Sequence, residues 1–189
     1  TFAVIGVVSS LIGIPLAFLV AGARGEPGSA RDALLAVLLF TPATYLPILL
    51  VHVPASASAA ARWIFDTAPV RDGEIANGAR KAVAIRFLVP LYVLLFLLTW
   101  SQSGFDFAVR IALPGALLSV LLLRRLYPLC VEDPPLSVPA DEVSAKLDWT
   151  GTLLVLAIGL TIVAMLAWRY VTTLGHGIAL SAVLIAIEV

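Results

Sequence analysis

The residues best equipped for chemistry are few and scattered. Asp106 and Arg110 stand four positions apart at the start of an apolar run. That spacing puts both on one face of a helix, where they can pair or sit at a membrane surface and cap the helix end. His52 and His176 are the only histidines. His52 falls near the end of one apolar run, and His176 lies in Gly175-His176-Gly177, early in another run or just before it. A histidine near a helix end more often makes an interfacial hydrogen bond than it ligates a metal. Glu188 is a carboxylate inside the membrane if its run continues and a terminal group if it stops; ionisable groups inside spans are costly and point to function by default. The densest polar set is Arg71, Asp72, Glu74, Asn77, Arg80 and Lys81, which reads as solvated loop charge or as a contact for phospholipid headgroups. Ser58, Arg62 and Asp66 recur every fourth residue and share a helical face.

No catalytic constellation joins these groups. The chain has no Walker-type phosphate loop, no His-Glu-x-x-His and no Gly-x-Ser-x-Gly. Cys130 is the single cysteine, which excludes an internal disulfide and a cysteine-based zinc site. The expectation is a protein that is not an enzyme and carries no cofactor or metal. A balance of 12 basic and 12 acidic residues argues against a nucleic-acid partner.

The elements that must hold these residues are apolar. The 189 residues are 61% hydrophobic and only 13% charged, and the mean hydropathy is +1.05. A soluble domain of this length cannot hide so much apolar surface, so the excess requires lipid. A spanning helix needs roughly 20 mostly apolar residues. Spans are expected at about 2–23, 33–53, 83–100, 105–123, 150–168 and 171–189, the last incomplete. The fold class is therefore an all-α polytopic integral membrane bundle of about six transmembrane helices in one domain, with short interfacial amphipathic helices. Trp100, Trp149, Trp168, Tyr127 and Tyr170 fall at expected span ends, as an aromatic belt requires.

Proline marks the spans. Pro42 and Pro47 should bend the second, because each removes a backbone hydrogen bond. Freed carbonyls need partners in lipid, so this helix is expected inside the bundle, with Thr41, Thr44 and Tyr45 as local donors. Pro90 and Pro114 lie in the third and fourth spans. Small residues such as Gly151, Gly159, Ala157 and Ala164 could permit close packing in the fifth. Between spans, residues 58–68 read as an interfacial amphipathic helix ended by Pro69, Glu74 to Arg86 as a helix feeding the third span, and Pro139 to Leu147 as a further interfacial helix. The chain opens on Thr1 within an apolar run and stops in mid-pattern, as a fragment of a longer chain would; a cleaved signal peptide is the alternative for its start.

Arg62, Arg71, Arg80, Lys81, Arg86, Arg124, Arg125 and Lys146 follow the second and fourth spans, and Arg24, Arg31, Arg110 and Arg169 follow the others. The positive-inside rule then places the N-terminus and the two longer connections in the cytosol.

Residues 59–90 carry a resemblance. The run Ala-Ala-Ala-Arg-Trp-Ile-Phe-Asp-Thr-Ala-Pro-Val, followed by Gly-Glu-Ile-Ala-Asn-Gly-Ala-Arg-Lys-Ala-Val and Arg-Phe-Leu-Val-Pro, resembles the membrane subunits of bacterial type-2 ATP-binding-cassette exporters or relatives of them. It covers about a sixth of the chain and rests on Trp63, Pro69, Gly78, Lys81 and Pro90. The resemblance implies a six-span permease of the bacterial inner membrane, paired with a second copy or another membrane subunit. It also implies that residues 62–70 dock on a separate cytosolic ATPase, with Arg62, Trp63, Phe65 and Asp66 as the contact residues. The interfacial helix with which such permeases usually begin is not visible here. Two other readings compete. One is an accessory subunit of a respiratory or photosynthetic assembly with no chemistry of its own, and the other, ranked last, is an enzyme acting on lipid.

Overall fold

A computed structural model describes residues 30–56, 63, 67, 72–139 and 150–188. Among these, the first long helix, α1 (Ala30–Thr44), is followed after one turn residue by the short α2 (Leu46–Val51). Next come α3 (Asp72–Val83), a π-helical segment (Ala84–Leu88) and α4 (Val89–Ser103), which run on without a break. The bundle closes with α5 (Phe105–Cys130), α6 (Thr150–Tyr170) and α7 (Leu174–Glu188). Four stretches are long and apolar enough to cross a membrane: Arg31–Val51, Gly73–Ser103, Phe105–Cys130 and Thr152–Tyr170; Leu174–Ile187 is a shorter apolar helix. The described residues thus form an all-helical bundle of an integral membrane protein. The expected span at 2–23 lies outside them.

Proline decides the shape of the centre. Pro42 has no N–H for the carbonyl of Leu38, and the helix gives way at Tyr45, whose N–H bonds the Pro42 carbonyl at 3.3 Å. Pro47 then sits in the first turn of α2, where a missing N–H costs nothing. The Thr41 hydroxyl donates to the Val37 carbonyl at 2.9 Å, one residue short of the Leu38 carbonyl that Pro42 frees. The broken span is the most buried of the four. Leu35, Leu39, Leu46 and Leu50 are enclosed along it. Helices α4, α5 and α6 pack against it.

The remaining helices pack by shape. On α6, Leu160, Ala164 and Ala167, followed by Val171, form a seam of period three to four that faces α1. Leu154, Val155, Ile158 and Ile162 point outward. Ala164 is buried as expected, whereas nothing lies near Gly159. The glycines that do sit at helix contacts are others. A β-carbon on Gly115 would lie 3.1 Å from the Leu39 carbonyl oxygen, and one on Gly177 would lie 2.7 Å from Cα of Arg110. Gly104 alone joins α4 to α5, at φ 87°, a conformation that L side chains rarely adopt. Phe96, Trp100 and Phe105 stack around that turn with ring centroids 5.6–6.2 Å apart.

One feature of the connections departs from the sequence reading. Pro139 does not open a helix; Val138–Pro139 pairs in parallel with Ala55–Ser56 as a two-residue ladder. The Leu136 N–H bonds the Val53 carbonyl and the Val138 N–H the Pro54 carbonyl, at 3.1 and 2.9 Å. Hydrogen bonding to a distant backbone outweighs local helical propensity here, after a turn at Pro135 and Leu136 in which Leu136 takes a φ of 59°. Residues 140–147, the rest of that expected helix, lie outside the described residues.

Candidate functional site

Polar residues gather at three places: each end of the bundle and one point inside it. At the first end, Arg31 bonds the side-chain oxygen of Gln102, and Ser103 donates to Asp32 at 2.7 Å, tying the start of α1 to the end of α4. Arg110 does not pair with Asp106. Its guanidinium donates to the Thr172 carbonyl and lies 5.0 Å from the centroid of the Phe107 ring, so the residue clamps α5 to the α6–α7 connection. The hydroxyl of Thr173 accepts the N–H of His176 at 3.3 Å and caps α7. His176 itself is exposed.

Inside the bundle, three helices meet at one hydroxyl. The Tyr92 side chain of α4 lies 3.0 Å from the Leu39 carbonyl of α1 and 2.9 Å from the Gly115 carbonyl of α5. It also lies 2.6 Å from the hydroxyl of Ser119. A phenol has one hydrogen to give. A consistent network has that hydrogen shared between the two carbonyls while Ser119 donates to the phenol oxygen. Ser119 is wholly enclosed. In hydrocarbon such groups must find partners within the protein, and this set satisfies itself. It is a structural node of neutral groups, buried and hydrogen-bonded to one another. Periodicity could not reveal it, but one signal was present: Tyr92 lies in mid-span, unlike the tyrosines at span ends.

The second end carries most of the described positive charge. Asn77, Arg80 and Lys81 of α3, Ala84 of the π segment, and Val120, Leu123 and Arg124 of α5 line a cleft of about 360 Å³. Among the described residues no carboxylate lines it. Arg80 is held from three sides: its Nε donates to the Ala76 carbonyl at 3.4 Å, another nitrogen bonds the Asn77 amide oxygen, and its guanidinium carbon lies 5.5 Å from the centroid of the Tyr127 ring. Lys81 is exposed. Of the polar set at residues 71–81, Asn77, Arg80 and Lys81 reach the cleft; Arg124 joins them from a helix more than forty residues on.

The π segment positions this cleft. Pro90 has no N–H for the Arg86 carbonyl, and its ring would crowd that oxygen in a regular α-helix. The Val89 N–H instead reaches back five residues to the Ala84 carbonyl. The wider turn absorbs one extra residue and sets the angular position of α3 on α4. Pro90→Ala lets the regular bond form. If the turn then tightens, α3 rotates by about 100° and a side chain on it moves by about 8 Å. Distances between spin labels at Gly78 and Arg125 will report the shift; an unchanged distance means that packing, not Pro90, holds the π turn.

The expected docking residues are only partly placed. Trp63 is helical and exposed, and the Thr67 hydroxyl donates to its carbonyl at 2.9 Å. Arg62, Phe65 and Asp66 lie outside the described residues. His52 behaves as a helix-end histidine does: its Nδ1 lies 2.8 Å from the Ile48 carbonyl and must carry the hydrogen there. Glu188 is the last residue of α7.

No protein-family model, curated protein or solved structure matches this chain.

Proposed function

We propose that this chain is the permease-type transmembrane subunit of an ATP-driven exporter, in the bacterial inner membrane, with its N-terminus in the cytosol. The observation that carries the reading is the central span broken at Tyr45. Discontinuous helices enclosed by a bundle give transporters a hinge and freed backbone groups near the substrate path. The helix beyond the break, α2, packs on α5 beside the basic end. A tilt of α2 is therefore felt there. Arg80, Lys81, Arg124 and Arg125 emerge at that end, in keeping with a cytosolic face. The connection from Ser56 to Asp72 starts and finishes at the same end and includes exposed Trp63. A cytosolic ATPase docking across residues 62–70 would meet Arg62, Trp63, Phe65 and Asp66.

The test is direct. The chain is purified in mild detergent with a photo-crosslinking residue in place of Trp63, and every attached or copurifying protein is identified by mass spectrometry. A stoichiometric nucleotide-binding subunit, crosslinked at that position, is the expected result. Redox or pigment-carrying subunits without an ATPase would retire the exporter reading and make the chain an accessory scaffold.

A further inference from the structure

The strand pair at the second end joins two parts of the chain that lie far apart in sequence. Pro42 and Pro47 have no N–H, so the Leu38 and Ala43 carbonyls lose their usual helical donors and the span is weakest around Tyr45. The segment beyond, α2, is tied to the turn that follows it. The Val53 N–H bonds the Leu50 carbonyl at 3.0 Å, the Ala55 N–H bonds the His52 carbonyl at 3.1 Å, and His52 Nδ1 lies 2.8 Å from the Ile48 carbonyl. The connection after α5 holds that turn from the other side. The Val53 and Pro54 carbonyls accept the N–H groups of Leu136 and Val138, and Ala55–Ser56 pairs with Val138–Pro139. Pro54 and Ser137 are buried there, and the Ser137 hydroxyl donates to the Pro134 carbonyl at 2.7 Å.

The pairing works against the conformation of one residue. Leu136 has a φ of 59°, a left-handed conformation that a leucine adopts about tenfold less readily than a right-handed one. Its side chain is 53% exposed, so burial does not offset that cost. The bond from its own N–H to Val53 is what the conformation secures. Strained backbone of this kind persists only where its surroundings hold it, and it marks switch regions. We infer that the ladder is a conformational latch: it couples α2 to the connection after α5, so that α2 and residues 136–139 move as one body about the break at Tyr45. A displacement of that connection bends the broken span, and the strain at Leu136 keeps the latch close to release. Leu46 and Leu50 also rest α2 on α5, so release loosens α2 without detaching it. The inference does not rest on the exporter reading, since a latch between two connections serves an accessory subunit equally.

Amide hydrogen exchange of the whole chain in detergent, read over residues 49–53, tests the coupling. The Leu49 and Val53 N–H groups bond the Tyr45 and Leu50 carbonyls rather than the partner strand, so their exchange reports α2 itself. Val138→Pro deletes the bond to Pro54 and should speed exchange over 49–53 about fivefold, the scale of one hydrogen bond. Leu136→Gly should slow it about threefold, because glycine takes the left-handed conformation freely while adding freedom to the open chain. Residues 89–95 of α4 are the control and should exchange at the wild-type rate in both variants. Leu136 is exposed, so its replacement leaves the bundle folded. Should Val138→Pro speed exchange in α4 as much as in α2, Leu136→Gly decides: slower exchange confined to 49–53 supports the latch. An unchanged rate over 49–53 in Leu136→Gly would overturn the coupling, and a faster one would overturn the strain that it rests on.

Discussion

Tyr92→Ala will destabilise the bundle by about 3–5 kcal/mol, the cost of emptying an enclosed aromatic site. The ring of Tyr92 belongs to the cluster that joins α1, α4 and α5, with Ala43, Leu46, Leu88 and Leu123 around it. Removing it opens a void between three helices. Collapse is resisted because Gly115 already sets α5 against the Leu39 carbonyl. Tyr92→Phe separates the hydroxyl from the ring. It removes the bonds to Leu39, Gly115 and Ser119, and hydrogen bonds between membrane helices average about 0.6 kcal/mol each. The loss should be about 1–2 kcal/mol. It falls toward the lower end if Ser119 turns to the carbonyl one turn back, which belongs to Gly115. Unfolding in mixed micelles titrated with a denaturing detergent, followed by helical circular dichroism, measures both variants. Should Tyr92→Phe cost as much as Tyr92→Ala, the hydroxyl network would carry the stability and the packing argument would be wrong.

The same node shows where sequence reading reaches its limit. Pro42 and Pro47 could be read directly, because a missing N–H acts on its own helix and the break at Tyr45 follows from local geometry. Pro90 was equally visible, yet whether a helix kinks, breaks or widens into a π turn depends on what packs against it, and here it widens. Asn77, Arg80 and Lys81 stood out as a polar set, but only folding brings Arg124 beside them. The aspartate–arginine spacing at positions 106 and 110 permits a pair, and Arg110 instead finds the Thr172 carbonyl across a helix boundary. Of the small residues expected to pack in the fifth span, Ala164 is buried and Gly159 meets nothing, whereas the glycines in close contact are Gly115 and Gly177. In each case the local chemistry was legible and the partner in space was not.

Gly177 offers the sharpest contrast between two glycines of similar appearance. A β-carbon there would lie 2.7 Å from Cα, 2.8 Å from the carbonyl oxygen and 2.9 Å from Cβ of Arg110. All three atoms are fixed to the α5 backbone and cannot swing aside. The contact is close for a reason: Pro114 leaves the Arg110 carbonyl without its helical N–H, and the bare Cα of Gly177 is what comes up to it. One turn on, buried Ser181 donates to the Gly177 carbonyl at 2.8 Å and keeps its own hydroxyl satisfied at the interface. Gly177→Ala should therefore cost about 1–3 kcal/mol through overpacking, despite the better helix propensity of alanine. Gly177→Leu should detach α7 from α5 altogether. Gly159→Ala, on a helix face with nothing within 4 Å, should be neutral or gain up to about 1 kcal/mol. The detergent titration gives the sign of each change, and disulfide trapping of cysteines placed on facing positions of α5 and α7 reports whether α7 remains docked. Opposite signs for Gly177→Ala and Gly159→Ala would assign the role of Gly177 to close approach; equal stabilisation of both would mean that α7 packs on α5 more loosely than the contact at Arg110 requires.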